Sequence, residues 1–231
     1  MSMVDPAKRH DGRLGNELRP FACEQGALFR ADGSARMSHG NSTVLVAVYG
    51  PGQAKSRRSE QIDRVTIDVC FKLEKGIVSS KEKEYEQLIR RTFEPLVVGD
   101  EFPRAVISVV VQVIEDSGSL LSVAINATTL ALMDAGVPML SVVTSSTCAL
   151  LPDGGLFLDP SRTEEEQSVS LITTASSSTS SGGVLTSVTS GLLSEEQYFA
   201  ASEACQRASE SVTAFIRIVH QKKYPLPAPS N

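Results

Sequence analysis

One segment constrains the fold of this chain more than any other. Residues 120–135, Leu-Leu-Ser-Val-Ala-Ile-Asn-Ala-Thr-Thr-Leu-Ala-Leu-Met-Asp-Ala, are apolar on nearly every side of a helix. A helix without a polar face has to be buried on most of its sides. Gly136 predicts where the helix ends, because glycine is common just past a helix C-terminus. With 231 residues, the chain is long enough to enclose such a helix without disulfide or metal support.

Strand patterns lie on both sides of this helix in the sequence. Val44–Tyr49 is a β-branched run that we expect Gly50-Pro51-Gly52 to end, and residues 64–71 alternate with a period of two. The serine-rich segment 176–181 predicts a mobile loop, and Ser194 predicts the cap of a last helix. The further predicted strands are 19–29, 34–39, 105–113, 140–150, 156–159, 169–174 and 183–190, with a helix at 81–97. The apolar stripe of the last helix is predicted to be Tyr198, Ala201, Cys205, Ala208, Val212, Phe215 and Val219. This order is mixed α/β and lacks the strict alternation of a doubly wound sheet.

Composition excludes some functional classes. The formal net charge is −5, whereas a generic nucleic-acid binder is usually basic. Any RNA contact therefore needs a local basic patch, which the basic residues within 1–110 offer, although a merely solvated charged face is the alternative. No apolar run reaches 18 residues and no secretory leader is visible, so we expect a soluble, intracellular protein without a membrane partner. The cysteines lack metal or CxxC spacing and are expected to be reduced thiols: Cys23, Cys70, Cys148 and Cys205.

Three segments carry residues suited to chemistry. Asp116-Ser117-Gly118-Ser119 leads from a strand into the buried helix, where free N–H groups favour a bound phosphate. The alternative is an ordinary N-cap by Ser117 or Ser119. Asp159, followed by Glu164–Glu166, suggests oxygen ligands for Mg²⁺, and the alternative is a solvated acidic turn. The third is a basic set, of which Arg90 and Arg91 point in different directions on a helix: Lys72, Lys75, Lys81, Lys83, Arg90 and Arg91.

Taken together, several motifs resemble those of RNase PH-type exosome ring subunits. They occur in the family's order and cover residues 11–222. The motifs are Asp11-Gly12-Arg13, Glu17-Leu18-Arg19-Pro20, Asp32-Gly33-Ser34-Ala35, Gly40-Asn41-Ser42-Thr43-Val44-Leu45, Val48-Tyr49-Gly50-Pro51, Ser117-Gly118-Ser119-Leu120-Leu121, Asp134-Ala135-Gly136-Val137-Pro138-Met139 and Leu158-Asp159-Pro160.

The resemblance implies a fold and an assembly. The expected fold is mixed α/β, the RNase PH fold, with two similar βα halves in one compact domain and a long C-terminal helix. The domain spans 11–222, between flexible termini at 1–10 and 223–231. The implied partners are single-stranded RNA and other RNase PH-like exosome subunits arranged in a six-membered ring. A homodimer is expected for the isolated chain, DNA is left open as a further ligand, and the implied locations are nucleus, nucleolus and cytoplasm.

The resemblance also implies a chemistry, in which inorganic phosphate is the co-substrate and attacks the 3′-terminal phosphodiester with the help of Mg²⁺. The implied catalytic and metal-binding residues are Asp159 and Glu165. The implied phosphate-binding residues are Ser117, Gly118 and Ser119, and the implied RNA-binding residues are Lys75, Lys81 and Arg91. Leu120 departs from the family, which has arginine there, and losing one such donor costs roughly 3–4 kcal/mol. Two functions therefore remain open: a ring subunit with weak or no catalysis, and an active 3′→5′ exonuclease, phosphorolytic or metal-dependent and hydrolytic.

Overall fold

A computed structural model describes residues 9, 11–53, 65–74, 80–98, 102–179 and 183–225. Its strands and helices follow the mixed order expected from the sequence, and the predicted fold class is confirmed. In chain order they are β1 (Phe21–Gln25), β2 (Gly33–His39), β3 (Ser42–Gln53), β4 (Thr66–Lys72), α1 (Ser80–Phe93), β5 (Ala105–Glu115), α2 (Leu120–Asp134), β6 (Val143–Leu150), β7 (Leu156–Leu158), α3 (Arg162–Gln167), β8 (Ser170–Ser177), β9 (Val184–Gly191) and α4 (Glu195–Lys223).

The strands form two sheets. The first has the order β1-β2-β3-β5-β4, in which only the β4–β5 pair is parallel, because α1 crosses over between these two strands. Along β5, alternate residues are buried, as expected for a strand with one face on the core: Ile107, Val109, Val111 and Val113. The second sheet has the order β7-β6-β8-β9 and is antiparallel throughout. Helix α1 packs against β4 of the first sheet, and helix α4 packs against β6 and β8 of the second, so the chain consists of two βα halves.

Helix α2 packs against both sheets, as its sequence predicts. It contacts β2 and β3 of the first sheet and β6 of the second, and every residue from Leu120 to Leu132 is buried. Its one amide side chain is satisfied, because Asn126 donates to the Ser145 carbonyl at 2.9 Å and accepts from the Ser145 N–H at 2.8 Å. The helix ends before Gly136, whose φ of +68° lies in the region that glycine favours.

Helix α4 packs on the outer side of β6 and β8. Its Ser194 cap accepts a hydrogen bond from the Gln197 N–H, which confirms the predicted start. Four residues of the predicted stripe are buried, and the other three, Tyr198, Phe215 and Val219, are half-buried. Ile216, which was not part of the predicted stripe, is buried. The buried stripe members are Ala201, Cys205, Ala208 and Val212.

Several sequence predictions need correction. Gly50-Pro51-Gly52 does not end a strand, because β3 continues to Gln53 through a shift in its register with β5. Strand β8 extends to Ser177, into the segment predicted as a loop, and α1 ends at Phe93 instead of 97. The short helix α3 was not predicted. Arg9, placed by sequence in a flexible terminus, is buried in the domain, while the remaining residues of 1–10 lie outside the described residues.

Two further expectations concern cysteines and membranes. All four cysteines are free; Cys148 and Cys205 are buried, and Cys23 and Cys70 are half-buried. None of the helices in the described part of the chain is long and apolar enough to cross a membrane.

The burial of α2 gives a stability prediction. Leu130→Ala is expected to lower the free energy of unfolding by about 2–5 kcal/mol, because Leu130 is 0% exposed and the change leaves a cavity between the sheets. Urea denaturation followed by circular dichroism measures this. Leu192→Ala is the matched control, since Leu192 is 86% exposed and its truncation should stay within about 0.5 kcal/mol. Equal losses for the two variants would contradict the assigned role of α2.

Candidate functional site

A cleft of about 530 Å³ opens where α1, the start of α2, α3 and the second sheet meet. Helix α1 contributes Lys81 and Tyr85, and the first turn of α2 contributes the segment from Ser119 to Leu121. Of the eight site residues that the resemblance implies, three line the cleft: Lys81, Ser119 and Glu165. The remaining lining residues are Leu73, Glu84, Asp116, Thr147, Arg162, Glu165, Glu166, Leu171, Thr173, Val188 and Ser190.

The turn that enters α2 is tightly packed against the segment before α3. Gly118 has a φ of +103°, and a Cβ there would lie 2.6 Å from the Pro160 carbonyl oxygen, so only glycine fits. Ser119 also has a positive φ, of 55°, and its hydroxyl donates to the Pro160 carbonyl at 3.0 Å. Ser119 therefore occupies the N-cap position, but its side chain does not cap α2.

The N–H groups predicted to bind phosphate are all taken by partners within the chain. The Ser117 N–H donates to Ser42 Oγ at 3.0 Å, and the Gly118 N–H donates to a carboxylate oxygen of Asp116 at 3.2 Å. The Ser119 N–H donates to Glu165 Oε1 at 2.6 Å. These three N–H groups are therefore satisfied within the chain, and phosphate binding at this turn stays a prediction that requires the Glu165 carboxylate to move away from Ser119.

Glu165 takes the place that an anion would occupy at the start of α2. The positive end of the helix dipole favours a negative group there, and the Glu165 carboxylate provides one from inside the chain. Burial raises the pKa of the Glu165 carboxyl above its usual range, the nearby Asp116 raises it further, and the Ser119 N–H works in the opposite direction. This residue, implied as catalytic by the resemblance, lines the cleft as expected.

Asp159 is held in a buried ion pair instead of facing the cleft. Its Oδ1 accepts from Arg19 Nη2 at 2.6 Å, and its Oδ2 accepts from Arg19 Nε at 2.9 Å and from the Arg19 backbone N–H at 3.0 Å. Burial opposes ionisation of Asp159, but the hydrogen bonds and charge of Arg19 lower its pKa to about 2. Asp159 does not line the cleft, and its carboxylate is engaged by Arg19, so its catalytic and metal-binding role stays a prediction.

A second buried arginine lies beside the first ion pair. Arg9 donates from Nε and Nη2 to both oxygens of Glu164, at 2.9 and 3.1 Å, and from Nη2 to the Leu158 carbonyl at 2.7 Å. Glu164 also accepts from the Ser161 N–H, which completes the capping box of α3. The acidic run, for which a solvated turn was the alternative to a Mg²⁺ site, is therefore partly a helix start fixed to the N-terminal segment.

The charge of the cleft does not suit an anion. Among its lining residues, two cations face four carboxylates: Lys81 and Arg162 against Glu84, Asp116, Glu165 and Glu166. Burial, with the negative charges of Glu165, Asp116 and Glu84, raises the pKa of Tyr85 to about 12. At the start of α2 the side chain is Leu120, which is apolar and buried. A phosphate in this cleft would meet more negative than positive charge.

The predicted RNA-binding residues are not brought together. Lys81 lines the cleft, whereas Arg91 is exposed near the other end of α1 and does not line it. Ten residues of helix separate them by about 15 Å. Lys75 lies outside the described residues.

The residues implied for Mg²⁺ do not fit a shared ion. Both oxygens of Asp159 accept hydrogen bonds from Arg19, and Glu165 Oε1 accepts from Ser119. Mg²⁺ needs carboxylate oxygens free to enter a regular octahedron. Nor do the described residues contain a cluster of three or more His, Cys, Asp or Glu side chains placed to hold a metal.

Sequence reasoning missed the residues that organise this region. Arg19 belongs to a motif that carries the resemblance, but its partner Asp159 is 140 residues away and no local pattern connects them. His39 is buried beside this pair, and burial lowers its pKa to about 4, so it is neutral at neutral pH. Arg9 likewise has no sequence signal, because its partner Glu164 is 155 residues distant.

The fold and the turn at α2 define a class: a two-sheet α/β domain with a buried central helix, whose N-terminal turn is bonded to a carboxylate of the same chain. Residues 17–138 match the family model described as "3′ exoribonuclease family, domain 1", and residues 141–208 match "3′ exoribonuclease family, domain 2". The chain therefore belongs to the 3′ exoribonuclease, or RNase PH, family, and the resemblance found in the sequence is confirmed at that level.

Named relatives support the same family. The "Exosome complex exonuclease RRP46 homolog" of Oryza sativa subsp. japonica is 38% identical over 232 residues, which cover 94% of this chain and 97% of the relative. The protein of the same name from Arabidopsis thaliana is 39% identical over 225 residues, which cover 90% and 94%. The crystal structure of rice Rrp46 superposes with a TM-score of 0.87 at 38% identity and covers 92% of this chain and all of that one.

The buried Arg19–Asp159 pair gives a prediction with a pH dependence. Asp159→Asn should lower the free energy of unfolding at pH 7 by about 3–5 kcal/mol, because the buried Arg19 guanidinium loses its charge partner. The folded pKa of about 2 lies below the ordinary 3.8. The ionised carboxylate therefore stabilises the wild type above about pH 4, and this contribution disappears as the pH falls to about 2.

Denaturant titrations at pH 7 and at steps down to pH 2 measure this difference. Asp68→Asn is the matched control, since the Asp68–Arg90 pair is 63% and 44% exposed and is worth about 0–1 kcal/mol. A difference between wild type and Asp159→Asn that does not shrink below pH 4 would contradict the pairing.

Proposed function

We propose that the chain is an RNA-contacting ring subunit of an exosome complex and that it does not carry out phosphorolysis. The family membership and the names of the rice and Arabidopsis relatives support the exosome assignment. Within such a ring we assign it the place of the subunit that those relatives call RRP46, which the sequence resemblance suggests is the fifth component. Its partners are then single-stranded RNA and other RNase PH-like subunits.

The observation that carries the catalytic part is the bond from the Ser119 N–H to Glu165. Phosphorolysis needs a bound phosphate whose charge is met by preorganised donors and cations. Here the donor at the start of α2 is occupied at 2.6 Å by a carboxylate, and the next side chain is Leu120. A phosphate would have to displace Glu165 and enter a cleft with an excess of carboxylates.

We assign RNA contact to Lys81 and Arg91 of α1, together with Lys75, which lies outside the described residues. Lys81 lies at the cleft and Arg91 is exposed further along α1, so together they form an extended patch about 15 Å long and no compact site. An extended patch suits the backbone of a single strand, which carries its charges along its length. Lys75 is proposed to extend this patch. DNA would meet the same charges, so the patch itself does not select RNA.

A second candidate function is 3′→5′ hydrolysis in the presence of Mg²⁺. One observation favours it: the cleft has four carboxylates against two cations, so its charge favours a cation over an anion, although no three of these carboxylates are placed to hold a metal without rearrangement. The relatives' printed name also includes "exonuclease". In this case the acids would be those of the cleft, such as Glu165, and not the buried Asp159.

Degradation of a 5′-labelled single-stranded RNA distinguishes the two functions. The purified chain is incubated with and without phosphate and with and without Mg²⁺, and filter binding is measured in parallel. We expect binding without degradation, because the phosphate turn is closed. Phosphate-dependent release of nucleoside diphosphates would contradict the proposal, and phosphate-independent release of nucleoside monophosphates with Mg²⁺ would establish the second candidate.

The control variant for this assay is Glu165→Gln, which keeps the size of the side chain and removes its charge. Degradation that persists unchanged in this variant would come from a contaminating nuclease or from another site. Asp159→Asn is unsuitable as a control, because it removes the charge partner of buried Arg19 and loss of activity would then follow from loss of the fold.

The isolated chain is proposed to form a homodimer, since ring subunits bury extensive pairing surfaces that are uncovered without their partners. Light scattering at micromolar concentration is expected to give about twice the monomer mass of 24.7 kDa. A monodisperse 24.7 kDa species would contradict this expectation. The proposed locations, which follow from the exosome assignment alone, are nucleus, nucleolus and cytoplasm.

A further inference from the structure

Strand β1 is an edge of the first sheet, and the register shows which of its backbone groups are free. β1 pairs with β2 alone. At its two ends the Gly40 N–H donates to the Pro20 carbonyl and the Gly26 N–H donates to the Ser34 carbonyl. Hydrogen-bonded pairs in an antiparallel ladder recur at every second residue, so Ala22 and Glu24 also face β2.

It follows that the N–H and C=O groups of the alternate residues point away from the sheet. These residues are Phe21, Cys23 and Gln25. Within the described part of the chain, no other element supplies hydrogen-bond partners to their backbones. Unpaired edges of this kind are templates for a further strand unless a lysine, a proline or a covering element blocks them. The strand itself, Phe-Ala-Cys-Glu-Gln, contains neither lysine nor proline, and its one charged side chain, the exposed Glu24, does not line the groove beside the edge.

A groove runs beside this edge. It has a volume of about 570 Å³ and lies between β1 and the last turns of α4. Its walls are mostly apolar, and the rings of Phe21 and Phe215 pack against each other within the lining, with centroids 5.4 Å apart. The residues that line it are Phe21, Ala22, Cys23, Gln25, Phe215, Val219, Lys222 and Lys223.

The charge at the groove is positive. Two lysines and no carboxylate line it. The Lys223 ammonium is paired with Asp134, whereas Lys222 is exposed and has no ion pair in the part of the chain that the structure describes. A ligand with a carboxylate near this end of the groove would therefore gain an ion pair with Lys222.

We propose that this edge and groove bind an extended acidic segment of a partner protein by strand addition. The segment's backbone pairs with the free groups of Phe21, Cys23 and Gln25. Because side chains alternate along a strand, every second side chain of the segment enters the apolar groove, and the others face solvent. A carboxylate at its end meets Lys222. This surface is separate from the cleft at α2 and does not depend on whether that cleft is catalytic.

A defined probe tests the backbone part of the proposal. The probe is the fluorescein-labelled peptide Asp-Val-Thr-Val-Thr-Val-Asp, whose binding to the full chain is followed by fluorescence anisotropy. Two versions of it carry N-methyl groups on the valines or on the threonines. Only one of these two sets of N–H groups faces β1, so we expect one version to lose binding and the other to keep it. Equal effects of the two versions, or no binding of the unmodified probe, would overturn the proposal.

Two substitutions of Cys23 test whether the backbone N–H of this residue contributes to binding of the probe. Cys23→Pro removes an N–H that points away from β2 and should weaken probe binding by about ten-fold or more, with the β1–β2 ladder kept. Cys23→Ala keeps this N–H and should bind the probe like the wild type. Circular dichroism and the urea midpoint show whether each variant is folded. Wild-type affinity of a folded Cys23→Pro variant would overturn the proposal.

If Cys23→Pro fails to fold, Lys222→Glu takes its place. The exposed Lys222 side chain can be reversed in charge with little effect on the fold, and the acidic probe should then bind several-fold more weakly. Arg217→Glu is the matched control, since Arg217 is an exposed cation of α4 that does not line the groove. Equal weakening by both changes would mean non-specific attraction and would overturn the proposal.

A second copy of the chain is the competing occupant. If it fills the groove, light scattering should show a dimer that becomes a monomer in the Cys23→Pro variant, and the probe should not bind to the wild-type dimer. That outcome would overturn the assignment of the groove to a partner's extended segment.

Discussion

Complete burial of α2 is the constraint on which the rest of the structure depends. The first sheet covers one side of this helix and the second sheet covers another, so neither sheet can shift without exposing apolar surface of α2. Because α2 is held between the two sheets, the position of its N-terminal end is fixed as well. The turn at Gly118 and Ser119 is therefore held at the junction of the two sheets, against the segment that begins α3. The cleft lies at this junction because two independent sheets, one buried helix and two short connections meet there.

Around that turn, carboxylates form ion pairs and hydrogen bonds that connect distant segments of the chain. Asp159, Glu164 and Glu165 lie within seven residues of one another, and each has a separate partner: Arg19, Arg9 and the N–H of Ser119. Two of these partners are buried arginines near the N-terminal end of the chain. A buried ion pair contributes little net stability compared with an apolar pair, but removing one member is costly, so such pairs fix which segments meet. The acidic segment before and within α3 is thereby attached both to the N-terminal segment and to α2.

The elements predicted correctly from sequence are those encoded by short stretches of neighbouring residues. Helix α2 and the start of α4 followed from periodicity and the Ser194 cap, because burial of one continuous face and capping are encoded within a few residues. Gly50-Pro51-Gly52 misled because pairing with β5 carries the strand through a locally unfavourable sequence. The pattern Ser161–Glu164 is a capping-box signal that could have revealed α3. The Arg19–Asp159 and Arg9–Glu164 pairs could not have been found, because they join residues 140 and 155 positions apart.

The same separation explains why the candidate site was only half predicted. The resemblance implied that Ser119 and Glu165 belong to one active site, and their 2.6 Å hydrogen bond makes them neighbours, but residue types alone cannot say whether a carboxylate binds a ligand or another part of the chain. That distinction depends on what else can reach the N–H of Ser119. Leu120, the next side chain, brings no positive charge to the helix start, and the Glu165 carboxylate accepts the Ser119 N–H although Arg19 and Arg162 also act on it. An arginine at position 120 would attract both Glu165 and a phosphate, so one side chain decides between an occupied turn and an open one. The Ser119 N–H and the Glu165 carboxylate thus satisfy each other at a helix start whose own first side chain, Leu120, is apolar.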